Sequence, residues 1–191
     1  KIIIITGPSG SGKTSLAKKL MSALENCHII STDDFYKTGK LSNLLSKLIK
    51  SYFDRKISHN GRLLKKTISK IIKNKEINYS LKYDFIKRRT EVNYSKSLNI
   101  KNLIIEGIFT LELLKFISRH EYILIRLKIN KDVCMKRIKD RDNIERGKSK
   151  RKSLEDFIKA WNIYEKKEKS YKISGKGKEL IFKKDADINT I

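Results

Sequence analysis

Gly7-Pro8-Ser9-Gly10-Ser11-Gly12-Lys13-Thr14 fits the pattern GxxxxGK(S/T) at every fixed position. Glycines in such a loop let the backbone approach a polyphosphate closely, and the amides of the loop and of the following helix point at the same anion. Lys13 would then meet the β and γ phosphates and Thr14 would hold magnesium. The pattern therefore predicts ATP and Mg2+ held by Gly7, Pro8, Ser9, Gly10, Ser11, Gly12, Lys13, Thr14 and Ser15. Two acidic sites follow apolar runs: Ser31-Thr32-Asp33-Asp34 comes after Cys27 to Ile30, and Glu106 ends Leu103-Ile104-Ile105. A carboxylate at the C-terminal end of a strand in an open α/β sheet faces the ligand crevice. Phosphoryl transfer to a hydroxyl needs a base there, and an acid beside the metal. Glu106 suits the metal, with a salt bridge to one of the many lysines as the plainer alternative. For Asp33 and Asp34 the residue types alone leave a catalytic base and a turn or helix cap equally open. Between Lys136 and Lys152 stand nine basic and three acidic residues, Arg141 and Arg146 among them. By charge alone this run reads as a solvated face, whereas arginines on a helix that closes over a nucleotide would stabilise a transferring phosphoryl group.

Positioning these residues requires strands before each acid and helices between them. The β-branched run Ile2 to Ile5 predicts a buried strand, and Leu16, Leu20 and Leu24 predict a helix from about Lys13 to Glu25. Cys27 to Ile30, Leu103 to Gly107 and Tyr122 to Leu127 predict three more strands. Apolar residues at helical spacing from Leu41 to Leu48 and from Leu63 to Ile72 predict two helices with an irregular segment between them. Ser153-Leu154-Glu155-Asp156 reads as a capped helix start, with Phe157, Trp161 and Tyr164 on one face and Trp161 as a core anchor. Lys166 to Lys178 reads as a mobile surface connection. The alternation predicts an α/β three-layer fold with a mainly parallel sheet, one domain over residues 1–191. No apolar run reaches the roughly 18 residues of a membrane span, and Ile2 to Ile5 is too short for a signal-peptide core, so a cytoplasmic location is expected. Cys27 and Cys134 have no metal-ligand spacing and are expected to be reduced. A formal charge of +24 argues for polyanionic partners, although lysine is spread along the whole chain as solvated surface would be.

GPSGSGKTS followed by STDDFYK resembles the uridine kinase and phosphoribulokinase family of small-molecule P-loop kinases. The first Asp of that family's S-x-D-x-F-Y element is the catalytic base and helps order magnesium, so the resemblance assigns these roles to Asp33 and not Asp34. Ile105-Glu106-Gly107-Ile108 resembles the I-E-G-I element, which puts Glu106 at the metal with Thr14 and Asp33. The stretch between Lys136 and Lys152, with Arg137, Arg141-Asp142 and Glu145-Arg146-Gly147-Lys148 inside, resembles the R-R-x-x-R-D-x-x-E-R-G-R lid, with one extra residue before Arg141 and Lys148 for the last Arg. A helical lid at about 132–152 then makes Arg141 and Arg146 catalytic cations beside Lys13. Tyr52-Phe53-Asp54-Arg55-Lys56 resembles N-F-D-H-P, whose Asp binds ribose hydroxyls, and Tyr83-Asp84-Phe85 resembles P-x-Y-D-F, whose aromatic contacts the base. Arg88 stands where the family has a pyrimidine-reading His, and Arg88 or Arg89 suits an anionic or multiply hydroxylated acceptor. Ala186-Asp187-Ile188 resembles the last strand's A-D-I, and the resemblance implies five strands. The implied activity is ATP- and Mg2+-dependent phosphorylation of a hydroxyl of a small metabolite, foremost the 5′-hydroxyl of a nucleoside such as uridine or cytidine. The departures at residues 55, 56, 80 and 88 lead us to expect a ribose-bearing acceptor other than these two, or another small alcohol. The rival of a different class is a nucleotide-dependent nucleic-acid-binding protein. It rests on charge alone, with no RNP-like motif, helix-turn-helix signature or zinc spacing.

Overall fold

Four consecutive isoleucines can be buried together only in a strand covered on both faces, and β1 (Ile2–Thr6) is buried throughout. The computed structural model describes residues 1–146, 149–173 and 175–184, without the side chains of 143–146 and 184. After β1 come α1 (Lys13–Ala23), β2 (Cys27–Ser31), a 3-10 turn (Thr32–Phe35), α2 (Lys40–Leu48) and α3 (Gly61–Asn74). Then follow β3 (Glu76–Asp84), β4 (Arg89–Asn99), β5 (Asn102–Glu106), α4 (Leu114–Ile117), β6 (Tyr122–Ile129), α5 (Lys131–Arg146), α6 (Lys150–Ser170) and β7 (Gly177–Lys184). The main sheet has the order β2-β5-β1-β6-β7, and every pairing in it is parallel. This is the five-stranded parallel sheet expected.

Alternation along β1 divides the core between the two faces. Ile2 and Ile4 pack with Leu64, Ile68 and Ile71 of α3 and Ile117 of α4. Ile3 and Ile5 pack with Leu16 and Ala17 of α1, Cys134 and Ile138 of α5 and Phe157 of α6. The result is three layers, helix, sheet and helix. Cys27 and Cys134 are both free thiols.

The structure differs from the sequence expectations at four places. An antiparallel hairpin, β3 with β4, occupies 76–99, where no strands were expected. Ile77, Tyr79, Leu81 and Tyr83 alternate with polar residues, the period-2 pattern of a half-buried strand. Helix α6 begins at Lys150, and its cap is Ser149, whose Oγ accepts from the Lys152 amide at 3.3 Å. Ser153 lies inside the helix, 1% exposed. Lys166 to Ser170 is the last turn of that helix, and Gly177 and Lys178 already belong to β7. The fifth strand is thus Gly177–Lys184, while Ala186-Asp187-Ile188 lies outside the described residues. Trp161 packs against the core beside Phe157, and its indole N–H donates to Glu165 at 2.8 Å. The apolar face of α2 is left open, with Leu41 and Leu48 about 70% exposed. No helix among the described residues is long and apolar enough to cross a membrane.

Candidate active site

In the sheet register Ile5 of β1 and Ser31 of β2 both stand beside Glu106, the last residue of β5. The loop leaving β1, the turn leaving β2 and Glu106 therefore open onto one crevice at the C-terminal edge of the sheet. The loop residues Gly7 to Gly12 lead directly into α1, whose first residues are Lys13, Thr14 and Ser15. Gly10 adopts φ +81°, and a Cβ there would stand 2.5 Å from the Cys134 carbonyl oxygen of α5, so the loop is pressed against that helix. Inside the loop the Ser11 amide donates to the Pro8 carbonyl at 3.2 Å, while Ser11 Oγ is buried with no hydrogen-bond partner among the described residues. Such an orphaned hydroxyl in a ring of amides suits a phosphate oxygen.

Lys13 is 7% exposed, and its Nζ donates to the carbonyls of Gly7 at 3.1 Å and Pro8 at 2.9 Å. Burial lowers its pKa below the usual lysine value, against the opposing pull of the Glu106 and Asp33 carboxylates. Thr14 Oγ1 donates to Glu106 Oε1 at 3.2 Å. Glu106 is 3% exposed. Its pKa is pushed up first by burial and then by the negative Asp33, while Lys13 and hydrogen bonds from Ser31 and Thr14 pull it down. The Glu106 and Asp33 carboxylates and the Thr14 hydroxyl offer only oxygen donors, the chemistry that magnesium accepts.

Asp33 and Asp34 face different tasks. The Asp33 amide donates to Ser31 Oγ at 3.4 Å, and its Oδ1 accepts from Thr32 Oγ1 at 3.4 Å. Gly107, at φ +130°, permits this turn to approach Glu106: a Cβ there would stand 2.0 Å from Thr32 Oγ1 and 3.2 Å from Asp33 Oδ1. Asp34 Oδ1 instead accepts the Tyr83 amide at 3.0 Å, tying the β3–β4 hairpin to the end of β2. Burial raises its pKa to about 6.

Beyond the two acids lies an aromatic cluster. Tyr36 has ring centroids of Tyr83 at 5.1 Å, Phe53 at 5.3 Å, Phe85 at 5.5 Å and Phe109 at 6.0 Å, and its hydroxyl donates to the Phe53 carbonyl. The hairpin delivers Tyr83 and Phe85 to this cluster. Asp54 ends the 3-10 turn Tyr52–Asp54, and its carbonyl accepts from Lys167 Nζ of α6 at 3.5 Å. Asp54 and Lys167 share a small cleft with Ser9 of the phosphate loop. Arg88, in the left-handed region at φ 52°, donates from Nη1 to Ser46 Oγ of α2 at 2.7 Å and lies close enough to lower the Tyr83 pKa against its burial. Arg89 pairs with Glu91 at 3.1 Å on the exposed hairpin, and the structure does not bring it to the crevice.

Helix α5 borders the loop on its other side. Arg137 Nη1 reaches the Gly10 carbonyl at 3.4 Å. Arg141 contacts buried Asp142 Oδ1 through Nε at 3.2 Å and Nη2 at 2.8 Å, and its charge helps keep the Lys13 pKa low. Arg146 ends the helix, but its side chain lies outside the described residues, as do Gly147 and Lys148. The sequence reading missed Lys167, which one lysine run does not distinguish from its neighbours, and Phe109, whose burial depends on the fold.

The uridine kinase of Borrelia hermsii is 30% identical over 162 residues, covering 83% of this chain and 75% of that protein. Among solved structures, the circularly permuted YFH7 of Saccharomyces cerevisiae superposes with a TM-score of 0.76 at 10% identity, covering 97% of this chain and 93% of that one. The D-glycerate 3-kinase of Cryptococcus neoformans superposes with a TM-score of 0.60 at 15% identity, covering 95% and 85%. Both structural likenesses concern the fold. The family model described as phosphoribulokinase / uridine kinase family matches residues 2–173, and the chain belongs to that family of P-loop kinases.

Proposed function

We propose that this kinase transfers the γ-phosphoryl group of ATP, with Mg2+, to a hydroxyl of a small ribose-bearing metabolite, a nucleoside foremost. The observation that carries the reading is the convergence of Lys13, Thr14, Asp33 and Glu106 on one crevice, with the Thr14 hydroxyl already on Glu106. On binding, the β and γ phosphates replace the Gly7 and Pro8 carbonyls as partners of Lys13, so an ammonium that burial disfavours gains the anion it lacks. Asp33 takes the proton of the acceptor hydroxyl as the phosphoryl group leaves. Thr14, Glu106 and Asp33 would hold the magnesium ion, which would supply positive charge against that of the phosphates. Arg141, and Arg146 with it, stabilises the equatorial oxygens once α5 meets the nucleotide.

The aromatic cluster around Tyr36 supports an acceptor with a ring, and Asp54 next to it supports one with sugar hydroxyls. Arg88 beside Tyr83 replaces an acceptor-donor pair by a pure donor, which favours a partner other than uridine or cytidine. A fold shared with a glycerate kinase is in keeping with an acceptor that varies within one architecture. The test compares kcat/KM for uridine with a panel of nucleosides and sugars, in the parent and in Asp54→Asn. A ribose-bearing compound other than uridine and cytidine should head the panel, and Asp54→Asn should raise its KM. Uridine at the top would defeat the specificity reading, and indifference to Asp54→Asn would defeat the ribose reading. Turnover of no small alcohol together with RNA binding at physiological salt would replace the whole reading with the nucleic-acid one.

A further inference from the structure

Phe109, a member of the aromatic cluster, also lines a surface cavity of about 680 Å³, within the usual size range of small-molecule sites. Its walls include none of the residues Gly7 to Ser15, and neither Asp33, Asp54 nor Tyr83. Its floor is apolar, made by Phe109, Leu64 and Leu113. Lys37, Lys56, Arg62 and Lys65 surround it, and the single acid in the lining is Glu112. Glu112 is already shared between Lys56 at 3.7 Å and Lys167 at 3.3 Å, while Lys37 and Arg62 have no carboxylate at ion-pair distance among the described residues. The first turn of α3 lies at the rim. Asn60 Oδ1 takes the Leu63 amide, and the amides of Gly61 and Arg62 have no carbonyl a turn earlier to bind.

A second, independent observation points into the same space. His59 is 7% exposed and stacks on Phe109 at 4.4 Å, with Nε2 at 2.9 Å from the Thr32 carbonyl. A carbonyl only accepts, so Nε2 carries the proton, and in the neutral ring Nδ1 is an acceptor. Burial holds the ring below the usual histidine pKa, which keeps it neutral. No described residue donates to Nδ1, and this edge faces Gly61, where a Cβ would stand 3.8 Å away. The cavity therefore offers spare cations at its rim, an apolar floor and, on a mostly buried ring, an acceptor nitrogen to which no described residue donates.

We propose that this cavity is a second ligand site, for a phosphate monoester whose ring body carries a hydroxyl. The phosphate meets Lys37, Arg62, Lys65 and the first amides of α3, the ring lies on Phe109 and Leu64, and the hydroxyl donates to His59 Nδ1. An occupant would touch His59, which holds Thr32 next to Asp33, and Glu112, which holds Lys167 next to Asp54.

The test is calorimetric titration of 4-hydroxyphenyl phosphate into protein saturated with magnesium and a non-hydrolysable ATP analogue, so that the phosphate loop is filled. We expect saturable binding, tighter than that of inorganic phosphate. Lys37→Gln/Arg62→Gln should weaken it by about tenfold or more, the scale of losing charge-assisted hydrogen bonds, and leave nucleotide affinity unchanged. His59→Phe keeps a ring on Phe109 and removes the acceptor, and should weaken the probe but not inorganic phosphate. The proposal is overturned if the nucleotide-loaded protein binds no probe, if inorganic phosphate binds as tightly, or if either variant retains the parent's affinity.

Discussion

Neighbouring side chains of one type do different work here because their partners differ. Asp34 is engaged by the Tyr83 amide, whereas among the described residues the Asp33 carboxylate accepts a long contact from Thr32, and it raises the pKa of buried Glu106. Asp33→Asn should abolish turnover and leave nucleotide binding largely intact, and Asp34→Asn should be milder, acting on the acceptor KM through the hairpin. Steady-state kinetics and nucleotide titration of both variants check this, and the opposite ranking would transfer the base to Asp34. Lys13→Ala should cost on the order of several kcal/mol in transition-state stabilisation with little loss of fold, since removing a buried ammonium also removes its desolvation cost. Normal turnover by that variant would show that the loop does not serve phosphoryl transfer.

Single elements carry the convergence of these residues. The end of β5 can approach the turn after β2 only because Gly107 has no Cβ at a positive φ. Gly107→Ala should destabilise the protein by roughly 2–4 kcal/mol, since Thr32 belongs to a buried turn that cannot give way, and chemical denaturation measures it. A loss below about 1 kcal/mol would mean that the turn relaxes freely. Helix α5 is the second such element, seated against the loop at Cys134 and reaching it through Arg137. Arg141→Ala should lower kcat more than ground-state ATP affinity, because its guanidinium rests on Asp142 until a nucleotide is present. An unchanged kcat would return Arg141 to the solvated face.

At the scale of the whole molecule, charge and pH act on stability together. The raised pKa of Asp34 means that the folded chain keeps a proton which the unfolded chain has already lost between pH 3.8 and about 6. Stability from this group therefore falls as pH rises through that window and is level above it. Replacing Asp34 by Asn removes the cost, so the Tm of Asp34→Asn relative to the parent should climb from pH 4 to 6 and then flatten. After allowance for partial exposure the gain is about 1–2 kcal/mol. A difference independent of pH would refute the assignment. The formal charge of +24 repels itself, and salt screens that repulsion. Tm should therefore rise from low to physiological ionic strength, and a fall would show that attractive pairs dominate.

The sequence by itself determined the parts of this protein whose physics is local. Four isoleucines before a glycine-rich loop could only be a buried strand entering a phosphate site, and Glu106 after Leu103-Ile104-Ile105 could be recognised as a strand-end acid from its neighbours alone. Hydrophobic periodicity located α1, α2 and α3 for the same reason. Tertiary structure decided what depends on residues distant in the chain. Asp33 and Asp34 are adjacent and chemically identical; the family resemblance prefers Asp33, but the physical difference between them comes from the hairpin, whose Tyr83 amide engages Asp34. Arg89 and Arg88 were equally eligible for the acceptor site until the turn at φ 52° sent one to Ser46 and the other to Glu91. Lys167, one lysine in a run, becomes a contact of Asp54 and Glu112 because α6 continues to Ser170 and lays it there. A side chain's type sets what chemistry it can do, but its partners and its distance from water set which of these it does, and both are supplied by segments that the local pattern does not contain.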